Sequence, residues 1–130
     1  MSFAHLTLAT RDVAKSAAFY GATLGWKPVD RPGNIGREAA WLSMGEHQEL
    51  HLLLVEDFEA SPFEREFGRH VAVNYPLAGF AALKERLITG GAELIDPIRE
   101  TPFERFFFRS PEGYVFEVVD VDRVSEAGTK

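Results

Sequence analysis

The chain has 130 residues, 45% of them hydrophobic and 26% charged. That length suits one domain that folds without covalent staples, and the apolar content excludes a disordered chain. A net charge of −6 disfavours nucleic-acid and anionic-membrane partners, and the lack of cysteine excludes a disulfide scaffold, a cysteine zinc finger and a thiol nucleophile. No apolar run nears the roughly 20 residues that span a bilayer. Residues 1–5 show no basic region leading into an apolar core, so a cytoplasmic protein without a signal peptide is expected.

Residues 3–10 alternate as a strand, with Leu6 and Leu8 on one face and His5, Thr7 and Ala9 on the other. Asp12 is a natural N-cap for a helix carrying Val13, Ala17, Tyr20 and Leu24 at helical spacing, and Gly25 is its stop. Trp26–Val29 begins a second strand, and residues 31–36 read as a loop. Ala39–Met44 and Glu49–Val55 read as strands joined by a turn. Residues 56–69 are charged and broken by Pro62 and Gly68, which suggests a solvated connector. The order then restarts. His70–Tyr75 is a strand, Leu77, Phe80, Leu83 and Leu87 make a helical stripe, and Gly90-Gly91 ends it. Ala92–Ile95, Arg105–Arg109 and Tyr114–Asp120 are strands, the last two joined by the turn Ser110-Pro111-Glu112-Gly113.

Two halves with the same element order suggest a repeat. His5 and His70 open their halves at an offset of 70 − 5 = 65, and Gly25 and Gly90 share that offset. The expected division is module one over about 1–58, a connector over about 59–68, module two over about 69–122, and a polar tail over 123–130, all within one domain.

The last strand of each half carries a second chemically capable residue. His51 follows His5 by 46 positions and Glu117 follows His70 by 47. A lone strand histidine is ordinarily a surface or core residue, but this matched spacing singles out His5, His51, His70 and Glu117 together. Three imidazoles and a carboxylate suit a divalent metal such as Zn, Ni, Co, Mn or Fe(II). Glu117 lies between apolar neighbours on both strand faces, and a buried carboxylate needs a cation or an arginine to offset its desolvation. Glu49 shares the His51 face and is a substitute ligand, whereas His47 falls in the turn.

The chain resembles the vicinal oxygen chelate superfamily, also called the glyoxalase, bleomycin-resistance and dioxygenase family. The matching stretches are His5-Leu-Thr-Leu with Arg11-Asp12-Val13, Glu49-Leu-His51-Leu, Arg69-His70-Val-Ala, and Ser110-Pro-Glu-Gly-Tyr-Val-Phe-Glu117. The last is similar to the family's D-P-x-G-x-x-x-E signature, with Ser110 in place of Asp. The resemblance implies an α+β fold of two βαβββ modules that form a cupped mixed sheet, and a homodimer. It implies a metal held by residues matching His5, His51, His70 and Glu117, with His51 where glutamate is common. It leaves Glu117 as the catalytic base.

Two open positions on such an ion would chelate a small molecule with neighbouring oxygens. The expected function is therefore a metal-dependent lyase, isomerase or dioxygenase of the glyoxalase I type. The alternative is a metal-free protein of the bleomycin-resistance type that binds small molecules or antibiotics. Trp41, Asn74, Phe106 and Phe108 are candidates for the pocket wall by strand placement, but Phe106-Phe107-Phe108 is read first as core or dimer packing and Trp41 first as core. Arg37, Arg105 and Arg109 are read chiefly as solvated surface residues.

Overall fold

In the computed structural model, residues 3–30 and 36–123 are described. The loop expected over 31–36 and the polar tail fall mostly outside them. The chain divides into two compact units, Met1–Glu59 and Ala60–Lys130.

The first unit runs β1 (His5–Thr10), α1 (Val13–Thr23), β2 (Lys27–Val29), β3 (Ala39–Gly45) and β4 (Gln48–Leu54). Its sheet has the order β1-β4-β3-β2, with β1 parallel to β4 and the other pairs antiparallel. The Asp12 side chain accepts from the Lys15 N–H at 3.0 Å, which caps α1 as the sequence suggests. Leu8, Leu42, Leu50 and Leu52 are buried together with Val13, Phe19 and Tyr20 of the helix. The buried stripe of α1 differs from the expected one. It includes Ser16 and Thr23. Their hydroxyls are satisfied locally, Ser16 Oγ with Thr10 Oγ1 and Thr23 Oγ1 with the Phe19 carbonyl, each at 2.7 Å, so burying them costs little.

The second unit repeats the order as β5 (Val71–Tyr75), a 3-10 turn (Leu77–Gly79), α2 (Phe80–Thr89), β6 (Glu93–Ile95), β7 (Arg105–Arg109) and β8 (Val115–Asp120). Its sheet, β5-β8-β7-β6, pairs β5 parallel to β8. Phe80, Leu83 and Leu87 supply the buried stripe of α2. The α+β fold of two βαβββ modules is thus present in both halves.

Pairing register gives the repeat a physical meaning. Thr7 lies opposite His51, which lies opposite Trp41. Ala72 lies opposite Glu117, which lies opposite Phe107. Thr7 is two residues past His5 and Ala72 two past His70. His51 and Glu117 therefore occupy the same place in equivalent sheets. The one-residue difference between the 46 and 47 spacings is absorbed outside the paired strands.

Side-chain alternation removes Phe106 and Phe108 from the candidate pocket wall and gives them the core role read first for them. Phe106 and Phe108 lie on the opposite face from Glu117, buried on the α2 side. Phe106 meets Phe80 edge-on at 5.3 Å and Phe108 stacks on Phe116 at 5.2 Å. Phe107 is the ring on the Glu117 face. A period of two puts alternate members of a Phe-Phe-Phe run on opposite faces, so the run cannot line one wall.

Candidate metal and proton-transfer site

In the first unit, His51 sits in the middle of a stack of rings. The Trp41 ring lies 3.7 Å away on one side and the His5 ring 4.0 Å away on the other, both nearly parallel to it. This follows from register, because Trp41 is directly across from His51 on β3 and His5 lies diagonally across on β1. His51 is buried and its Nε2 lies 2.9 Å from Glu49 Oε1. The substitute ligand thus already touches the predicted one. Trp41 Nε1 is buried with no hydrogen-bond partner among the described residues. Parallel imidazoles direct their lone pairs side by side, so joint ligation needs His5 to turn out of the stack, and its exposure allows that. His47 is exposed in the β3–β4 turn, where it and Glu46 both adopt positive φ.

In the second unit, His70 Nε2 lies 3.2 Å from Glu117 Oε1. Phe107 meets the His70 ring edge-on at 5.1 Å. The other carboxylate oxygen, Oε2, accepts from Arg105 Nη1 at 3.1 Å. The cation that a largely buried Glu117 requires is therefore supplied in this structure by arginine, the carboxylate being 12% exposed. Arg105 also donates from Nη2 to Glu66 Oε2 at 3.1 Å and to the Arg99 carbonyl at 2.6 Å. Glu66 accepts the backbone N–H groups of Ile98 and Arg99.

Two sequence readings are corrected here. Arg105 is buried rather than solvated, its side chain only 3% exposed, and Glu66 of the supposed solvated stretch is 4% exposed at its side chain. The sequence carries no local signal for this, since Glu66 sits among six other charged residues in 56–69 and meets Arg105 from 39 positions away. Burial pushes the Glu66 carboxyl up, but the Ile98 N–H, the Arg105 guanidinium and the Arg99 N–H outweigh it and hold the group below its ordinary range. Burial likewise works against the Arg105 charge, and the bonds to Glu66 and Glu117 more than restore it, so this guanidinium stays protonated. Arg109 ties the same stretch down, donating to the Glu64 carbonyl at 2.6 Å and the Gly113 carbonyl at 3.1 Å.

Ser110 shows what a departure from the family signature does. Its Oγ accepts the Tyr114 N–H at 3.0 Å and its carbonyl accepts the Gly113 N–H at 2.8 Å. The hydroxyl does the turn-closing work that a short carboxylate does at that position.

The spacing of one donor pair, His70 and Glu117, fits two ligands of one divalent ion. Donors each about 2.1 Å from one ion stand about 3.0–3.4 Å apart at octahedral to tetrahedral angles. His70 Nε2 and Glu117 Oε1, at 3.2 Å, have that separation. His70 Nδ1 is buried and has no hydrogen-bond partner among the described residues. Glu66 and Glu117 are met by two guanidinium groups, Arg105 between them and Arg99, whose Nε lies 3.6 Å from Glu66 Oε2. Among the described residues, no three His, Asp or Glu side chains are already grouped as a cage. Each unit by itself brings together two of the four predicted ligands.

A family model described as the Glyoxalase/Bleomycin resistance protein/Dioxygenase superfamily matches residues 2–118. A curated relative, Glyoxylase I 4 of Arabidopsis thaliana, is 25% identical over 93% of this chain and 71% of its own length. The fosfomycin resistance protein FosX of Mesorhizobium loti superposes with a TM-score of 0.74 at 16% identity, over 99% of this chain and 98% of that one. A FosX variant from Listeria monocytogenes, complexed with Mn(II) and 1S,2S-dihydroxypropylphosphonic acid, superposes at 0.70 with 14% identity, over 91% of this chain and 88% of that one. At such identities the structural likenesses carry the fold. No helix among the described residues is long and apolar enough to cross a membrane.

Proposed function

Because this chain belongs to the Glyoxalase/Bleomycin resistance protein/Dioxygenase superfamily, we propose that it is a metal-dependent enzyme of the glyoxalase I and dioxygenase type. Its substrate is a small molecule with neighbouring oxygens. His5, His51, His70 and Glu117 would hold the ion. The reading is supported above all by the His70–Glu117 pair, whose 3.2 Å separation suits two ligands of one ion, and by the register equivalence of His51 and Glu117. The Mn(II) complex of the FosX variant supports the choice of a divalent ion of that class. When bound, such an ion supplies Lewis-acid stabilisation of negative charge on a chelated oxygen.

The chain's own groups set what happens around it. Arg105 engages Oε2 of Glu117, so Oε1 is the oxygen that would serve as ligand and, when off the ion, as proton acceptor. The Trp41 and Phe107 rings stand at the equivalent place beside each donor pair. A cytoplasmic homodimer with no nucleic-acid or membrane partner completes the proposal.

The test is metal uptake followed by turnover. Protein purified without chelator is titrated with Mn(II), Co(II), Ni(II) and Zn(II), then assayed with a hemithioacetal, an epoxide and a catechol. The expected result is one equivalent bound, lost in His70→Ala and retained in His47→Ala, with turnover abolished in Glu117→Gln. No uptake of any ion refutes the proposal. A second reading, metal-free binding of a flat small molecule, is favoured by the Trp41–His51–His5 ring stack. It predicts quenching of tryptophan fluorescence by such a ligand that survives Glu117→Gln.

A further inference from the structure

The two equivalent sheets differ sharply at one position. Ala39 lies opposite Leu53 in the first unit, and Arg105 lies opposite Val119 in the second. Leu53 and Val119 are each two residues beyond the predicted ligands His51 and Glu117. The first unit thus has a methyl group where the second has a guanidinium. That guanidinium is almost wholly removed from water, and a buried ion pair is weak support for stability, so stability alone does not explain it.

Its geometry does have a consequence. The guanidinium is a planar fork that can fix two partners at once. One arm holds Oε2 of Glu117 at 3.1 Å. The other reaches Glu66 at 3.1 Å, which is itself pinned by the Ile98 and Arg99 N–H groups. Oε2 of Glu117 is thus engaged by Arg105, and Oε1 lies beside His70 Nε2.

We propose that Arg105, anchored by Glu66, is a positioning residue that clamps Oε2 of Glu117 and presents Oε1 beside His70 as a one-oxygen ligand for a divalent cation. This rests on the metal-dependent reading above. It makes the stretch before β5 part of the site, because Glu66 reaches Glu117 only through Arg105.

Charge and positioning predict opposite signs. Arg105 is a positive charge next to a ligand oxygen, so by Coulomb interaction alone its removal strengthens cation binding. Removing an outer group that orients a ligand weakens metal binding, typically by about 10–100-fold. Mn(II) is the probe, its free concentration followed by electron paramagnetic resonance. Wild type, Arg105→Met and Glu66→Gln are compared after near-ultraviolet circular dichroism has shown each to be folded. The dissociation constant is expected to rise about 10–100-fold in Arg105→Met and by a smaller factor in Glu66→Gln. Unchanged or tighter binding in folded Arg105→Met overturns the proposal.

A wild-type measurement covers the case in which the variants do not fold. In crystals soaked with Mn(II), Glu117 is expected to bind through Oε1 with Oε2 still on Arg105. A Glu117 that chelates through both oxygens overturns the proposal. Absence of Mn(II) binding by wild type removes the metal reading and this inference together. Binding that is lost in His70→Ala yet untouched in Arg105→Met removes this inference alone.

Discussion

Glu66→Gln isolates the anchor of the buried charge network. The substitution keeps shape, and the one amide oxygen, at the Oε1 position, goes on accepting the Ile98 N–H and the longer 3.4 Å contact from the Arg99 N–H, while the 3.1 Å Arg99 bond to Oε2 is lost. It removes the charge and turns an acceptor facing Arg105 Nη2 into an amide that can point a donor there. The charge-assisted hydrogen bond to Arg105 is lost, worth about 1.5–3 kcal/mol. Screening offers little relief, because the Arg105 side chain is 3% exposed. The loss should stop short of the roughly 3–5 kcal/mol of a fully unpaired buried charge, since Arg105 keeps Glu117 and the Arg99 carbonyl. About 2–3 kcal/mol is expected, read as a fall of roughly 6–12 °C in melting temperature and a matching shift in urea midpoint. Glu59→Gln is the control. Its partner Arg11 lies 3.7 Å away, but the Glu59 side chain is 85% exposed, so the change should stay within about 0.5 kcal/mol. The sign with pH is also set. Glu66 is held below its ordinary value of about 4.5, so its contribution is full above that value and is lost as pH falls through the lower folded value. The deficit of Glu66→Gln against wild type should therefore shrink in that acid window. A deficit below about 0.5 kcal/mol at neutral pH, or one that grows on acidification, would refute the reasoning.

Three further outcomes follow from the fold. Gly113→Ala should destabilise the β7–β8 turn by more than about 1 kcal/mol, since Gly113 has φ +107° and a methyl group there meets the Ala60 side chain; chemical denaturation reads it. Asp12→Ala removes the N-cap of α1 and should cost about 1 kcal/mol, with Asp12→Ser recovering most of it in the same assay. Leu83→Ala opens a cavity at a fully buried site of α2 and should cost about 2–5 kcal/mol, whereas Ile88→Ala, on an exposed position of that helix, should change the midpoint little.

Much of the site is legible in the residue pattern alone. The alternation of Leu6 and Leu8 against His5 and Thr7 places the histidine on the face away from α1, and register keeps it there. Glu117 stands out because a carboxylate amid apolar neighbours demands a cation. An arginine is one such partner, but the pattern does not say which arginine. Arg105 is hidden because alternation places it two positions before Phe107 on the same face, with nothing local to distinguish it from a solvated strand arginine. Ser16 and Thr23 are hidden in the same way, since their burial depends on hydroxyl partners that a hydrophobic stripe does not reveal.

The sequence by itself determined the repeat, the element order and the four candidate donors, because these depend on local periodicity and on spacing along one chain. Only the tertiary structure decided that Glu66 and Arg105 are buried together, that Glu49 touches His51, and that Phe107 rather than Phe106 or Phe108 shares the Glu117 face. Each of those depends on which segments meet across the fold and on strand register. A register shift of a single residue would have exchanged the two faces of β7 and given the opposite answer.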